Sequence, residues 1–172
     1  LDLEHPTDNN TYEELSPVLT KIRRQHSQIK KQMNELQEKN NEFSQIISSM
    51  SEGLVLLNQQ GLVIAMNTAA RKIFGVKKDV VGIDFLTLDR FPELSRAIDA
   101  VAKDAHAELV MSKNGREYQF NISRIESESR TIGTLLLGFD ITEKAFAERN
   151  RQEFTANVSH ELKTPLQSII GL

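Results

Sequence analysis

The chain has no cysteine among its 172 residues, which excludes disulfides, thiolate metal sites and cysteine-linked cofactors. It also lacks any run approaching the roughly 20 apolar residues that span a bilayer, and no secretory leader is visible. Positive charge is not in excess: 21 Lys and Arg against 24 Asp and Glu give a net charge of -3 and a pI near 5.9. Without a broad basic field, nucleic acid and anionic membrane surfaces are poor partners. No glycine-rich phosphate loop and no magnesium-binding constellation occurs, so nothing here is expected to bind a nucleoside triphosphate. What is present, 39% hydrophobic and 26% charged residues, fits one globular domain with helical extensions. A start at Leu1 without methionine and a stop at Leu172 in mid-pattern, one residue after Gly171, lead us to expect a piece of something longer.

A seven-residue beat runs from Leu15 to Met50. Leu15, Ile22, Ile29, Leu36, Phe43 and Met50 hold one set of positions, and Leu19, His26, Met33, Asn40 and Ile47 follow four residues after each of the first five. This is an a/d heptad seam of about five repeats. His26 and Asn40 fall on a-type positions, where polar groups weaken the seam but fix register and favour two strands. Gln25, Gln32, Lys39, Arg23, Lys30 and Gln37 flank it and leave little apolar width. A parallel dimeric coiled coil is therefore expected, with a single amphipathic helix docked on its own domain as the alternative. Pro17 stands near the helix start, where its missing N–H costs nothing.

From Glu52 the period becomes that of strands. Gly53 to Asn58 and Gly61 to Met66 are apolar runs joined by the hairpin signal Asn58-Gln59-Gln60-Gly61. Asn67 is an N-cap for a short helix, Thr68 to Phe74, closed by Gly75. Pro92 opens a helix with Leu94, Ile98 and Val101 on one face. His106 to Met111 and Glu117 to Ile125 flank the tight-turn pair Asn114-Gly115, and Ile132 to Phe139 is the last and most apolar strand. Asp140 and Glu143 form a capping-box pattern that starts a further helix, Ile141 to Arg151, whose apolar seam is thin. The order gives an α+β domain with one antiparallel sheet and helices on one face.

The last stretch is the most informative. In Phe154 to Gly171, with Ser159-His160-Glu161-Leu162-Lys163-Thr164-Pro165 at its centre, Phe154, Val158, Leu162 and Ile169 make an apolar helical stripe. His160 then lies roughly 200° around the axis from Val158 and Leu162 and points outward. Glu161 can take or hold a proton on one ring nitrogen and leave the other nucleophilic. Thr164 returns to the face of His160, where its hydroxyl could orient a water. Pro165 has no N–H for the carbonyl of Glu161, so a bend is expected one turn past the histidine. Lys163 is placed either to offset phosphate charge or simply to be solvated.

This run resembles the H box of sensor histidine kinases, in which a histidine accepts the γ-phosphoryl group of ATP and passes it to an aspartate of a response regulator. The resemblance implies that His160 is the phosphoacceptor, Glu161 its proton-transfer neighbour and Thr164 the residue for dephosphorylating the partner. Phe43 to Glu143 resembles a PAS domain through Glu52-Gly53-Leu54, through Met66-Asn67-Thr68-Ala69-Ala70 ending at Phe74-Gly75, and through Gly138-Phe139-Asp140-Ile141-Thr142-Glu143. Leu1 to Pro6 with Tyr12 to Pro17 loosely resembles the end of a HAMP-like linker. The expected architecture is α+β: a PAS-like five-stranded antiparallel sheet with short helices, flanked by an N-terminal coiled-coil helix and a C-terminal phosphotransfer helix. The domains would be the linker end (1–14), a dimeric coiled-coil helix (15–50), the PAS domain (51–140), an output linker helix (141–152) and the truncated first helix of the dimerisation and histidine phosphotransfer domain (153–172).

The implied function is signal transduction by the cytoplasmic portion of a membrane-anchored bacterial sensor histidine kinase. The enzyme would be a histidine protein kinase only as a full-length protein, with ATP and Mg held by a domain absent here, so that this chain alone would be inactive and carry no cofactor. Expected partners are a second copy, a response regulator receiver domain, the protein's own ATP-binding domain and, through missing N-terminal helices, a membrane. Two alternatives stay open: a non-enzymatic dimeric PAS and coiled-coil adaptor, and a phosphotransfer-only protein. The sensing role is less defined. Flavin and chromophore relatives need a cysteine, and haem relatives a histidine on the long helix, where Phe91 to Ala102 has none. His106 and Glu108 share a strand face but fall two ligands short of a metal site, so a solvated or hydrogen-bonded His106 is expected. Phe85, Phe120, Leu135, Leu137 and Phe139 either line a small apolar pocket or form the core.

Overall fold

The computed structural model describes residues 15–170, with side chains described up to Pro165. The linker end expected at 1–14 lies outside the described residues, as do Gly171 and Leu172. The chain divides into a helical unit ending at Ile47 and a second unit from Ser48 onward. Helix α1 (Ser16–Ser49) has 34 residues and no buried side chain, and Ile29, Met33, Leu36 and Phe43 are each more than half exposed.

The second unit is built on one antiparallel sheet. Strands β1 (Gly53–Asn58), β2 (Val63–Met66), β3 (His106–Lys113), β4 (Arg116–Ser127) and β5 (Arg130–Asp140) lie in the order β2-β1-β5-β4-β3. Helices α2 (Thr68–Phe74), α3 (Phe85–Leu88) and α4 (Pro92–Asp104) connect the β1–β2 hairpin to β3, and α5 (Thr142–Ile170) leaves the end of β5. The α+β class, the five antiparallel strands and the two flanking helices agree with the sequence reading.

Local chemistry accounts for the joints. Asn67 caps α2 by accepting from Ala70 N at 2.9 Å, and Gly75 closes it in the left-handed region with φ 67°. Asn114 and Gly115, with φ 51° and 74°, make the tight β3–β4 turn that their residue types favour. The β4–β5 turn uses Glu128 and Ser129, also at positive φ, and neither residue type signals such a turn. The strands on either side therefore run longer than the expected Glu117 to Ile125 and Ile132 to Phe139. A further difference appears at the sheet exit: the expected reciprocal capping box of Asp140 and Glu143 is replaced by a turn in which Asp140 Oδ1 accepts from Thr142 N at 3.0 Å. A carboxylate at the end of a strand reaches the amide two residues on more easily than the one three residues on.

The core lies on the helical side of the sheet. Phe85, Leu94, Phe120, Ile122 and Leu136 are essentially inaccessible, and the Phe74 ring sits edge-on to Phe85 at 5.1 Å and 5.6 Å from Phe120. Of Phe85, Phe120, Leu135, Leu137 and Phe139, for which either a small apolar pocket or the core was expected, Phe85 and Phe120 belong to the core. Residues Phe120 and Ile122 pair with Gly138 and Leu136, so the core face of β5 carries the even positions; Leu135, Leu137 and Phe139 lie half-buried on the opposite face. One buried ion pair ties the helical layer to the sheet: Lys113, on the core face of β3, meets Asp89 after α3 and lies over the rings of Phe74 and Phe91.

Candidate phosphoacceptor site and sheet exit

Helix α5 runs without interruption from Thr142 through Pro165 to Ile170, so His160 stands on the same helix that leaves the sheet. His160 and Glu161 are exposed, as are Phe154, Val158 and Leu162 of the apolar stripe. The structure therefore brings His160, Glu161 and Thr164 together on one solvated helix surface. It adds one contact: the Thr164 hydroxyl donates to the carbonyl of His160 at 3.2 Å. A threonine one turn along a helix makes this back-bond readily.

The exit itself is a cluster that sequence reasoning identified only in part. Asp140 Oδ1 accepts from the Thr142 hydroxyl at 2.5 Å and Oδ2 from Arg116 Nη1 at 2.7 Å. The Thr142 hydroxyl and N–H, and then Arg116, hold the Asp140 carboxylate below the usual carboxylate range. Glu117 is the second anchor. Its carbonyl accepts from Ile141 N at 2.9 Å, its N–H donates to Thr142 Oγ1 at 3.0 Å, and its carboxylate accepts from Arg149. The Asp-Ile-Thr run was legible as a helix start; Arg116, Glu117 and Arg149 were not, because strand neighbours carry no fixed spacing in sequence.

Two other expectations concern ligands. His106 is exposed, with Nδ1 3.2 Å from Ser123 Oγ and Nε2 3.6 Å from Glu108 Oε1. Among the described residues no group of three or more His, Cys, Asp or Glu could hold a metal. A cleft of about 720 Å³ opens beside the β1–β2 turn, with Leu57, Phe85, Ile98, Asp99, Arg124 and Arg130 among its walls. Of the expected pocket residues only Phe85 reaches it. Arg124 is committed there, with Nη1 donating to the carbonyl of Ala102 at 2.9 Å and Nε beside Glu126.

Comparison with known proteins bears on both halves of the unit. Residues 41–106 match the family model of a PAS domain, and residues 150–172 match that of the His Kinase A (phospho-acceptor) domain. The sensor protein kinase WalK of Staphylococcus aureus (strain Newman) is 34% identical over 132 residues, covering 72% of this chain and 21% of that protein. These matches are those of a sensor histidine kinase fragment with a PAS domain and a phosphoacceptor domain. The chain spans between about a fifth and a third of the length of the curated relatives it matches. Among solved structures, histidine kinase ThkA in complex with response regulator protein TrrA is 25% identical with a TM-score of 0.53, covering 73% of the segment and 42% of that chain. The phage VqmA-DPO complex shares the fold alone, at 18% identity and a TM-score of 0.50, covering 69% of the segment and 60% of that chain. Among the described residues of the kinase segment no helix is long and apolar enough to cross a membrane.

Proposed function

We propose that this segment carries a signal to His160, which accepts the γ-phosphoryl group of ATP and hands it to an aspartate of a response regulator. The observation that carries the reading is the Ser159-His160-Glu161-Leu162-Lys163-Thr164-Pro165 run on an exposed helix continuous with the exit of a PAS sheet. In the step itself a neutral ring nitrogen of His160 bonds to the γ-phosphorus while the bridging P–O bond to the leaving ADP breaks. Glu161 takes the proton from the other nitrogen. The chain's part is positioning: the rigid helix holds the imidazole outward, and Lys163 adds positive charge one turn away.

ATP and Mg are held by a separate domain of the longer protein, and the regulator docks on the same helix. The exposed seam of α1 pairs with that of a second copy, giving a parallel dimer along 15–50 that delivers the signal. The remaining boundaries are a PAS domain over 51–140, an output helix over 141–152 and the first phosphotransfer helix over 153–172. In the cell this is the cytoplasmic portion of a bacterial membrane-anchored kinase. That ThkA was solved with a response regulator supports the choice of partner.

The test is phosphorylation of the full-length protein with γ-labelled ATP. Label should appear as an acid-labile, alkali-stable phosphoramidate, be abolished by His160→Gln and be slowed roughly 10²-fold by Glu161→Gln. Thr164→Ala should spare labelling and weaken dephosphorylation of the regulator. Label that persists in His160→Gln refutes the assignment.

A further inference from the structure

The start of α5 is attached to β4 at two separated points, and both belong to one residue. At the first, Glu117 takes Ile141 N and the Thr142 hydroxyl through its backbone. At the second, its carboxylate takes Arg149. Arg149 is seven residues beyond Thr142, two turns, and so returns to the same helix face. Between them the half-buried Ala145 offers the small side chain that lets this face approach the strand, and its carbonyl accepts from Arg149 Nε at 3.4 Å. A helix held only at its first turn swings about that point; a second hold about 10 Å along the axis fixes its direction.

We infer that Glu117 and Arg149 are positioning residues for His160, forming a releasable clasp that sets the direction in which α5 leaves the sheet. The inference rests on His160 being the phosphoacceptor. His160 is 18 residues from Thr142, a lever of about 27 Å, so a swing of about 20° displaces it by about 9 Å. For in-line transfer, a misplacement of about 1 Å can already cost about 10²-fold in rate. The clasp is weak enough to open: Arg149 is 61% exposed and Glu117 25%, and a pair of this kind shifts an equilibrium by about two- to five-fold. A change at the β3–β4 end of the sheet therefore reaches the histidine without unfolding anything. Arg116, the neighbour of Glu117, stays with Asp140, so the first attachment survives when the second is released.

Because the chain has no cysteine, two labels can be introduced at will. Spin labels on Ser112→Cys in β3 and Gln152→Cys in α5, in chains diluted with unlabelled protein, report the helix direction by pulsed electron resonance. The parent should give one narrow distance. Glu117→Gln and Arg149→Gln should each broaden it, and the swap of Glu117→Arg with Arg149→Glu should narrow it again. In full-length protein the same single variants should change the ratio of His160 phosphorylation to regulator dephosphorylation by about two- to five-fold, with recovery in the swap. Unchanged widths in both single variants, or a swap that stays broad, overturn the clasp. Broadening with an unaltered activity ratio overturns its action on His160. Absence of His160 labelling in every protein, parent included, refutes the phosphoacceptor reading and leaves the distance measurement to judge the clasp alone.

Discussion

Asn67 joins three segments through one side chain, and its replacement tests whether this joint holds the PAS fold. The residue is 4% exposed. Oδ1 accepts from Ala70 N and from Leu54 N, each at 2.9 Å, while Nδ2 donates to the carbonyl of Glu52 at 2.9 Å. In Asn67→Ala the lost cap costs about 1 kcal/mol. Leu54 N, part-buried in β1, loses its acceptor at a cost of about 1–3 kcal/mol. The Glu52 carbonyl precedes the strand, where water can replace the donor at little cost. The sum is about 3 kcal/mol, a fall of roughly 2 M in urea midpoint at a slope near 1.5 kcal/mol per M. Asn67→Ser should restore the cap but not the bond to β1, and so recover about a third of the loss. Tyr118, 8% exposed in β4, reports the transition by its fluorescence when Tyr12 is changed to Phe. A midpoint shift below about 0.5 M for Asn67→Ala, or full recovery with Ser, would refute this account.

Further outcomes are expected at two positions. The Asp140 carboxylate is held below its usual range by Thr142 and Arg116, so its contribution is present above the unfolded carboxylate pKa near 3.9 and is lost as pH falls through the lower folded value. Asp140→Asn should therefore destabilise the protein at pH 6 more than at pH 3 in urea titrations; the effect is modest, because the side chain is 38% exposed, and equal losses at both pH values would count against it. At the coil, Asn40→Cys should crosslink to its counterpart under mild oxidation, and Asn40→Ile should raise thermal stability while loosening oligomeric control. A monomer in light scattering at tens of micromolar, with no crosslink, would exclude the parallel dimer.

Much of this chain was legible before folding because its signals are local. Asn67 and Gly75 bound α2, Pro92 opens α4 and Asn114-Gly115 turns β3 into β4, since each residue type suits one backbone conformation at its own position. The H-box run is equally local, and its outward histidine follows from helical spacing alone. The sequence by itself determined the element order, the helix that bears His160 and the residue types available there. Tertiary structure decided what adjacency across strands alone can set. It placed Leu135, Leu137 and Phe139 away from Phe85 and Phe120, because one residue of register assigns a whole strand to one face or the other. It also drew Arg116 to Asp140 and Arg149 to Glu117, positions 24 and 32 apart in sequence, because antiparallel pairing sets the start of β4 beside the end of β5 and the first turns of α5.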